Sequence, residues 1–151
     1  MGRIVVGVDG SAPSKEALRW AAEEAGRRGD VVEAVLVWDD PYRDMWLPSE
    51  PPGSDPLAHL RFALDRTVSA VLDEPTAAKV ETVVVQGHAA RALVDRARGA
   101  DLLVVGNRGH GGLAGAFVGS VSINCISHAP CPVVVVHEPV PSPGRADAGP
   151  S

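Results

Sequence analysis

Lysine is nearly absent from this chain: Lys15 and Lys79 are the only two in 151 residues. Neither stands in a Gly-Lys-Ser/Thr sequence, and this excludes a P-loop, which needs its lysine on the phosphates. Cysteine is as scarce. Cys125 and Cys131 form no CxxC, and no histidine pair lies at ligand spacing, so two buried reduced thiols are expected. A redox pair would need Cα atoms within about 7 Å, whereas one thiol falls in a helical stretch and the other just ahead of a strand. Basic tracts are missing too. With arginines scattered in ones and twos and a net charge of −5, nucleic acid and anionic membranes are poor partners. No apolar run approaches the ~20 residues of a membrane span, and no basic-then-apolar leader precedes Ile4, so a cytoplasmic location is expected.

Glycine, by contrast, is concentrated in one place. Leu102 to Val105 has the length and β-branched content of a buried strand, and six glycines stand from Gly106 to Gly119. Gly119-Ser120 then opens a helical stretch. Such a loop brings backbone N–H groups close to one ligand, and the helix start favours an anion, with phosphate the obvious occupant. Gly109, Gly111 and Ala114 fit a dinucleotide G-x-G-x-x-A. That reading fails on context, because the acidic ribose partner expected about 20 residues later falls in a run of valines.

Along the chain, strands alternate with helices. Ile4 to Val8 is apolar on both faces, as a central parallel strand is. Ser11 or Ser14 can cap the helix that follows, Pro13 suits its first turn, and Ala17, Leu18, Ala21, Ala22 and Ala25 recur at helical spacing before Gly29. Val31 to Val37 is the second strand. Residues 38–56, with Pro41, Pro48, Pro51 and Pro52 among Trp38, Tyr42 and Trp46, are too long for a simple connection; a surface excursion with tucked aromatics is favoured over a flap on the ligand site. Leu57, Leu60, Leu64, Val68, Val71 and Leu72 make a helical stripe that ends before Pro75. Val80 to Val85 is the third strand, and Ala89 to Arg98 a short helix with Ala92, Leu93 and Ala97 inward. Leu102 to Gly106 is the fourth strand, Ser120 to His128 the last helix and Val133 to His137 the fifth strand. The tail from Pro139 is too rich in Pro, Gly, Ser and Ala to order itself. Residues 1–138 thus form one domain and 139–151 a disordered tail.

Winding these elements with right-handed crossovers carries strands one, two and three outward on one side and returns the fourth to the other side of strand one. The fold expected is an open parallel five-stranded α/β sheet, order 3-2-1-4-5, with helices on both faces in the Rossmann-like manner. Ligands in such sheets bind where the winding reverses, at the carboxyl ends of strands one and four. Asp9 and Gly106 are the tips there.

The spacing Gly106-x2-Gly109-x9-Gly119-Ser120 resembles the ATP-binding motif of the universal stress protein family, G-x2-G-x9-G-[ST]. The resemblance extends to Ile4-Val5-Val6-Gly7-Val8-Asp9-Gly10-Ser11 and to Ala129-Pro130-Cys131-Pro132-Val133-Val134-Val135-Val136, covering residues 1 to about 138. It implies the same strand order and an adenine nucleotide, ATP with Mg2+, in the crevice. It also implies that Asp9 lies beside the nucleoside, and that Gly7, Val8 and Val37 lie beside the adenine; the plainer roles are helix capping for Asp9 and core packing for the valines. Gly106, Gly109 and Gly119 let the backbone approach phosphates. Ser120, Val121 and Ser122 open the helix, the serine hydroxyls being possible donors and Ser120 an equally good N-cap. Arg108 is the sole cation of the loop and is favoured for a phosphate. His110, its one group titrating near neutral pH, is as readily a solvated residue.

The loop has no lysine, no evident pair of metal carboxylates and no placed base beyond Asp9 or His110, which is thin equipment for phosphoryl transfer. No G-x-S-x-G or Ser-His-Asp arrangement is present. The function expected is that of an ATP-binding regulatory stress-response protein, with slow ATP hydrolysis or self-phosphorylation, or a nucleotide-free dimerising scaffold, as the alternatives. An enzyme activating its substrate with ATP is disfavoured by the lack of an SGGxD-type loop. Few lysines against many arginines, with abundant Ala, Gly and Val, suggest a GC-rich bacterial source. Finally, Val133-Val134-Val135-Val136 has no Lys or internal Pro and falls at a sheet edge. The resemblance implies an antiparallel homodimer across it.

Overall fold

The computed structural model describes residues 2–38, 55–108 and 119–138. The expectations for the 39–54 segment, for Gly109 and His110 and for the tail from Pro139 lie outside them. The elements run β1 (Arg3–Gly7), α1 (Ala12–Arg28), β2 (Val31–Trp38), α2 (Pro56–Val71), α3 (Glu74–Ala77), β3 (Val80–Gln86), α4 (Ala89–Arg96), β4 (Leu102–Gly106), α5 (Ser120–His128) and β5 (Val133–Val136). All strand pairings are parallel, and the order is β3-β2-β1-β4-β5, as the winding argument requires.

The alternation of each strand divides the core in two. Ile4 and Val6 of β1, and Val8 just past its end, join Ala34, Leu36 and Val104 under Ala17, Leu18 and Ala21 of α1 and Leu60, Leu64 and Val68 of α2. Val5, Val35, Leu103 and Val105 point to the other face, under Leu93 of α4, Ala97 at its C-cap and Cys125 of α5. Helices therefore cover both faces. α1 starts on Ser11, whose hydroxyl accepts from the Ser14 amide, and ends on Gly29 at φ +73°, where the Gly29 amide closes on the Ala25 carbonyl at 2.8 Å.

Two details differ from expectation. Leu57 is 40 % exposed, so the buried stripe of α2 begins at Leu60. In α4 the buried positions are Ala90 and Leu93, with Ala92 only half-buried; the helix ends at Arg96, two residues short of Arg98, and Ala97 is buried at its C-cap. α2 ends before Pro75, as expected, and Pro75 has a place of its own. It sits in the first turn of α3, where its missing N–H costs nothing and Asp73 caps the Thr76 amide at 2.8 Å.

One charged residue lies inside the sheet. Glu33, 3 % exposed in the middle of an apolar strand, accepts from the Arg3 guanidinium at 2.9 Å and from Arg96 Nε at 2.6 Å. Arg3 also donates to the carbonyls of Arg96 (3.0 Å) and Arg98 (2.8 Å). This network ties β1, β2 and the end of α4 together at the amino end of the sheet. Next to it, Asp30 accepts from the Gly2 amide at 2.8 Å and Asp101 from the Arg3 amide at 2.9 Å.

Candidate functional site

At the opposite end, β1 and β4 lie side by side, with Val6 in register with Val104. Their tips, Gly7-Val8-Asp9 and Gly106-Asn107, therefore lie side by side where the winding reverses, and each runs on toward the start of a helix, α1 and α5. Gly106 is where α1 comes closest. A Cβ built there would stand 2.7 Å from the Pro13 carbonyl carbon and 2.9 Å from the Ser14 amide nitrogen, both backbone atoms. The absent side chain thus lets the first turn of α1 lie on the strand tip. Gly7 serves a milder version of the same need, with Leu93 Cδ1 at 3.0 Å from its would-be Cβ.

Asp9 leaves the tip of β1 as the acceptor of a tight turn. Its Oδ1 takes the Ser11 amide at 2.9 Å and the Ser11 hydroxyl at 2.5 Å, while its own amide donates to Ser14 Oγ at 3.2 Å. The N-cap of α1 is Ser11, so Asp9 supports the cap and is not the cap itself. Asp9 is half-buried. Val8 is 3 % exposed and belongs to the core beneath α1 and α2; Val37 is half-buried against the other core.

The two described ends of the glycine loop are fastened together. The Gly119 amide donates to the Asn107 carbonyl at 2.6 Å, and the Asn107 amide to Val136 at 2.9 Å. Ser122, 3 % exposed, donates its hydroxyl to the Gly106 carbonyl at 2.6 Å. That bond holds α5 on the end of β4 and engages the hydroxyl that sequence reasoning offered to a phosphate. Ser120 is exposed at the first position of α5, and Val121 is half-buried. Gly119 is the N-cap, and among the described residues no side chain caps this helix or α4, whereas α1, α2 and α3 start on Ser11, Asp55 and Asp73 with a side-chain bond each. The first amides of α5 are thereby left to something other than their own N-cap side chain. Gly119 itself has φ −77° and ψ 168°, extended backbone that any residue adopts. Glycine is not required there by backbone shape.

Arg108 reaches sideways and pairs with Glu138, a residue that sequence reasoning did not single out. The signal was available in the register, since Gly106 pairs with Val136 and two further steps along both strands bring 108 opposite 138. Asn107, 7 % exposed, was likewise missed, although its backbone closes the loop. On α5, burial pushes the Cys125 thiol up to about 11, so it stays protonated at neutral pH and is no nucleophile. Burial raises the half-buried Cys131 as well.

The all-parallel order with its reversal between β1 and β4 defines a Rossmann-like α/β protein. The universal stress protein family model matches residues 1–137, and the chain belongs to that family. It is 38 % identical over 135 residues to a universal stress protein of Mycobacterium tuberculosis, covering 89 % of this chain and 45 % of that one. A Mycolicibacterium smegmatis universal stress protein is 34 % identical over 142 residues, with 89 % and 47 % covered. The chain spans about half the length of these curated relatives. Among solved structures it is similar to UspA of Lactobacillus plantarum (TM-score 0.70, 26 % identity, 89 % of this chain and 97 % of that one). It is also similar to a universal stress protein in complex with cAMP (TM-score 0.63, 26 % identity, 91 % and 98 % covered) and to one of Archaeoglobus fulgidus in complex with dAMP (TM-score 0.64, 27 % identity, 90 % and 98 % covered).

Proposed function

We propose that this chain binds an adenine nucleotide, ATP by preference, in the crevice between β1 and β4, and that occupancy of this site regulates its action in a stress response. The observation that carries the reading is the start of α5: a helix of nine residues whose N-cap is a glycine, hung from the tip of β4 by the Gly119–Asn107 and Ser122–Gly106 bonds. Uncapped amides, the positive end of the helix and a guanidinium suit phosphates. The complexes of similar proteins with cAMP and dAMP support an adenine nucleotide as occupant. The residues present fit such a ligand. Gly7, Val8 and Val37 would border the base, Asp9 the ribose, and Gly106, Arg108, Gly109, His110, Gly119, Ser120 and Val121 the phosphates, with Ser122 holding the helix that presents them. A magnesium ion would travel on the phosphates, as it commonly does.

The chain acts as a cytoplasmic binder and not as a fast enzyme. Two copies pair through β5, whose four valines are each only half-buried at the sheet edge. Among the described residues no helix is long and apolar enough to cross a membrane. Mass spectrometry of the protein as purified tests the ligand: an adenine nucleotide that is released by heat is expected. A phosphate-release assay with Mg2+ and saturating ATP tests the role. Turnover well below the ~1 s⁻¹ at the low end of typical enzymes is expected, and tens of turnovers per second would overturn the binder reading.

A further inference from the structure

The Arg108–Glu138 pair sits where the proposed site meets the edge strand. Arg108 lies two residues past the end of Gly106 on β4 and Glu138 two residues past Val136 on β5, and these two strand ends are in register. The bond from the Asn107 amide to the Val136 carbonyl carries the parallel ladder one step further, and the ion pair is its next rung. Glu138 thus reaches Arg108 from a neighbouring strand end, across a position that the ladder itself defines. The two side chains are 34 % and 31 % exposed, neither buried enough to be locked nor free enough to be indifferent. A guanidinium so placed is the described cation nearest the start of the glycine loop, and a carboxylate already stands on it.

We propose that Glu138 is an internal counter-anion that occupies Arg108 in the ligand-free chain and yields it to the terminal phosphates of the nucleotide, so that the pair sets selectivity by phosphate number. This rests on the nucleotide reading above. A half-exposed pair between single charges is weakly held. A di- or triphosphate offers Arg108 more charge and a bidentate geometry, and displaces the carboxylate. A monophosphate, seated at the start of α5 and carrying less charge, competes poorly for the same guanidinium. Glu138 therefore acts through Arg108 as a positioning residue. Its carboxylate also repels any phosphate that fails to take the arginine from it.

Calorimetric titration of ATP, ADP and AMP into the full chain and into Glu138→Gln, Arg108→Gln and the double variant tests this. Glu138→Gln keeps shape and removes the charge, and is expected to tighten ATP and ADP by about two- to fivefold, the worth of an exposed pair, while changing AMP less. Arg108→Gln is expected to weaken ATP by about tenfold or more, the worth of a charge-assisted bond. In the double variant the gain from Glu138→Gln should vanish, because no guanidinium remains to be released. Glu138→Asp should restore the parent ranking of nucleotides. If the unmodified chain binds ATP but Glu138→Gln leaves all three affinities unchanged, or tightens AMP as much as ATP, the counter-anion role is wrong and the nucleotide site stands. If the unmodified chain binds none of the three, the reading of the site fails and this inference fails with it.

Discussion

At the amino end of the sheet, Glu33 is held by Arg3 and Arg96, and Asp30 and Asp101 hold the backbone of Gly2 and Arg3. At the carboxyl end the polar groups include helix-start amides, a half-exposed arginine and a carboxylate that buttresses a turn. Charges of the first end answer one another and serve the fold. Those of the second stand at the strand tips where the winding reverses, and the one ion pair described there is the kind that an incoming anion can replace. The same five strands carry both ends, so changes at each should separate stability from binding.

The largest effect on stability is expected from Glu33→Ala. It leaves two arginines facing a buried position without their acceptor, a loss of about 2–3 kcal/mol once the partial exposure of both arginines is allowed for. Denaturant unfolding should show that loss while nucleotide affinity stays near its parent value; a matching loss of affinity would show that the two ends are not independent. Gly106→Val should follow, with overpacking against Pro13 and Ser14 worth about 1–3 kcal/mol and binding lost because the start of α1 is pushed away. This variant breaks the comparison on purpose, since it puts a packing role inside the binding end.

Fold and site were not equally legible. The strand order followed from apolar runs alternating with helical stripes, because parallel strands covered on both faces leave few topologies open. Glu33 could not be read that way: its partner Arg96 is 63 positions on, and nothing between Val32 and Ala34 announces a buried carboxylate. The inward face of α4 was turned slightly wrong, with Ala90 taking the place given to Ala92, since a short alanine-rich helix offers little contrast between faces. In the loop, glycine spacing located the site but not the work of each glycine. Gly106 is needed for α1 to approach, and Ser122 for holding α5, which only long-range packing reveals. Gly109 and His110 lie outside the described residues, and their places in the site remain proposals.

The carbonyls of Pro132 and Val136 bond to β4, so the amide of Val134 faces inward as well and the outward donors of β5 are Val133 and Val135; Val135→Pro removes one of these, and light scattering should then report a monomer. A variant that stays dimeric would place the interface elsewhere. The smallest effect expected is on pH dependence. Burial holds the Cys125 thiol protonated up to about 11 against an ordinary 9.0, so its contribution to stability is complete below pH 9 and is lost as pH rises toward about 11. Cys125→Ala should flatten the fall of the unfolding midpoint across that window, and an unchanged slope would assign the fall to other groups.

The division between the two ends is tested most directly at Gly119. Its backbone is ordinary extended chain at φ −77°, so a side chain there should be tolerated by the fold and resented only by a ligand approaching the start of α5. Titration of ATP into Gly119→Val, beside a denaturant curve of the same protein, is the measurement. Unfolding within about 0.5 kcal/mol of the parent together with abolished ATP binding is the result predicted. Retained affinity in a folded Gly119→Val protein would contradict the assignment of the phosphates to this helix start.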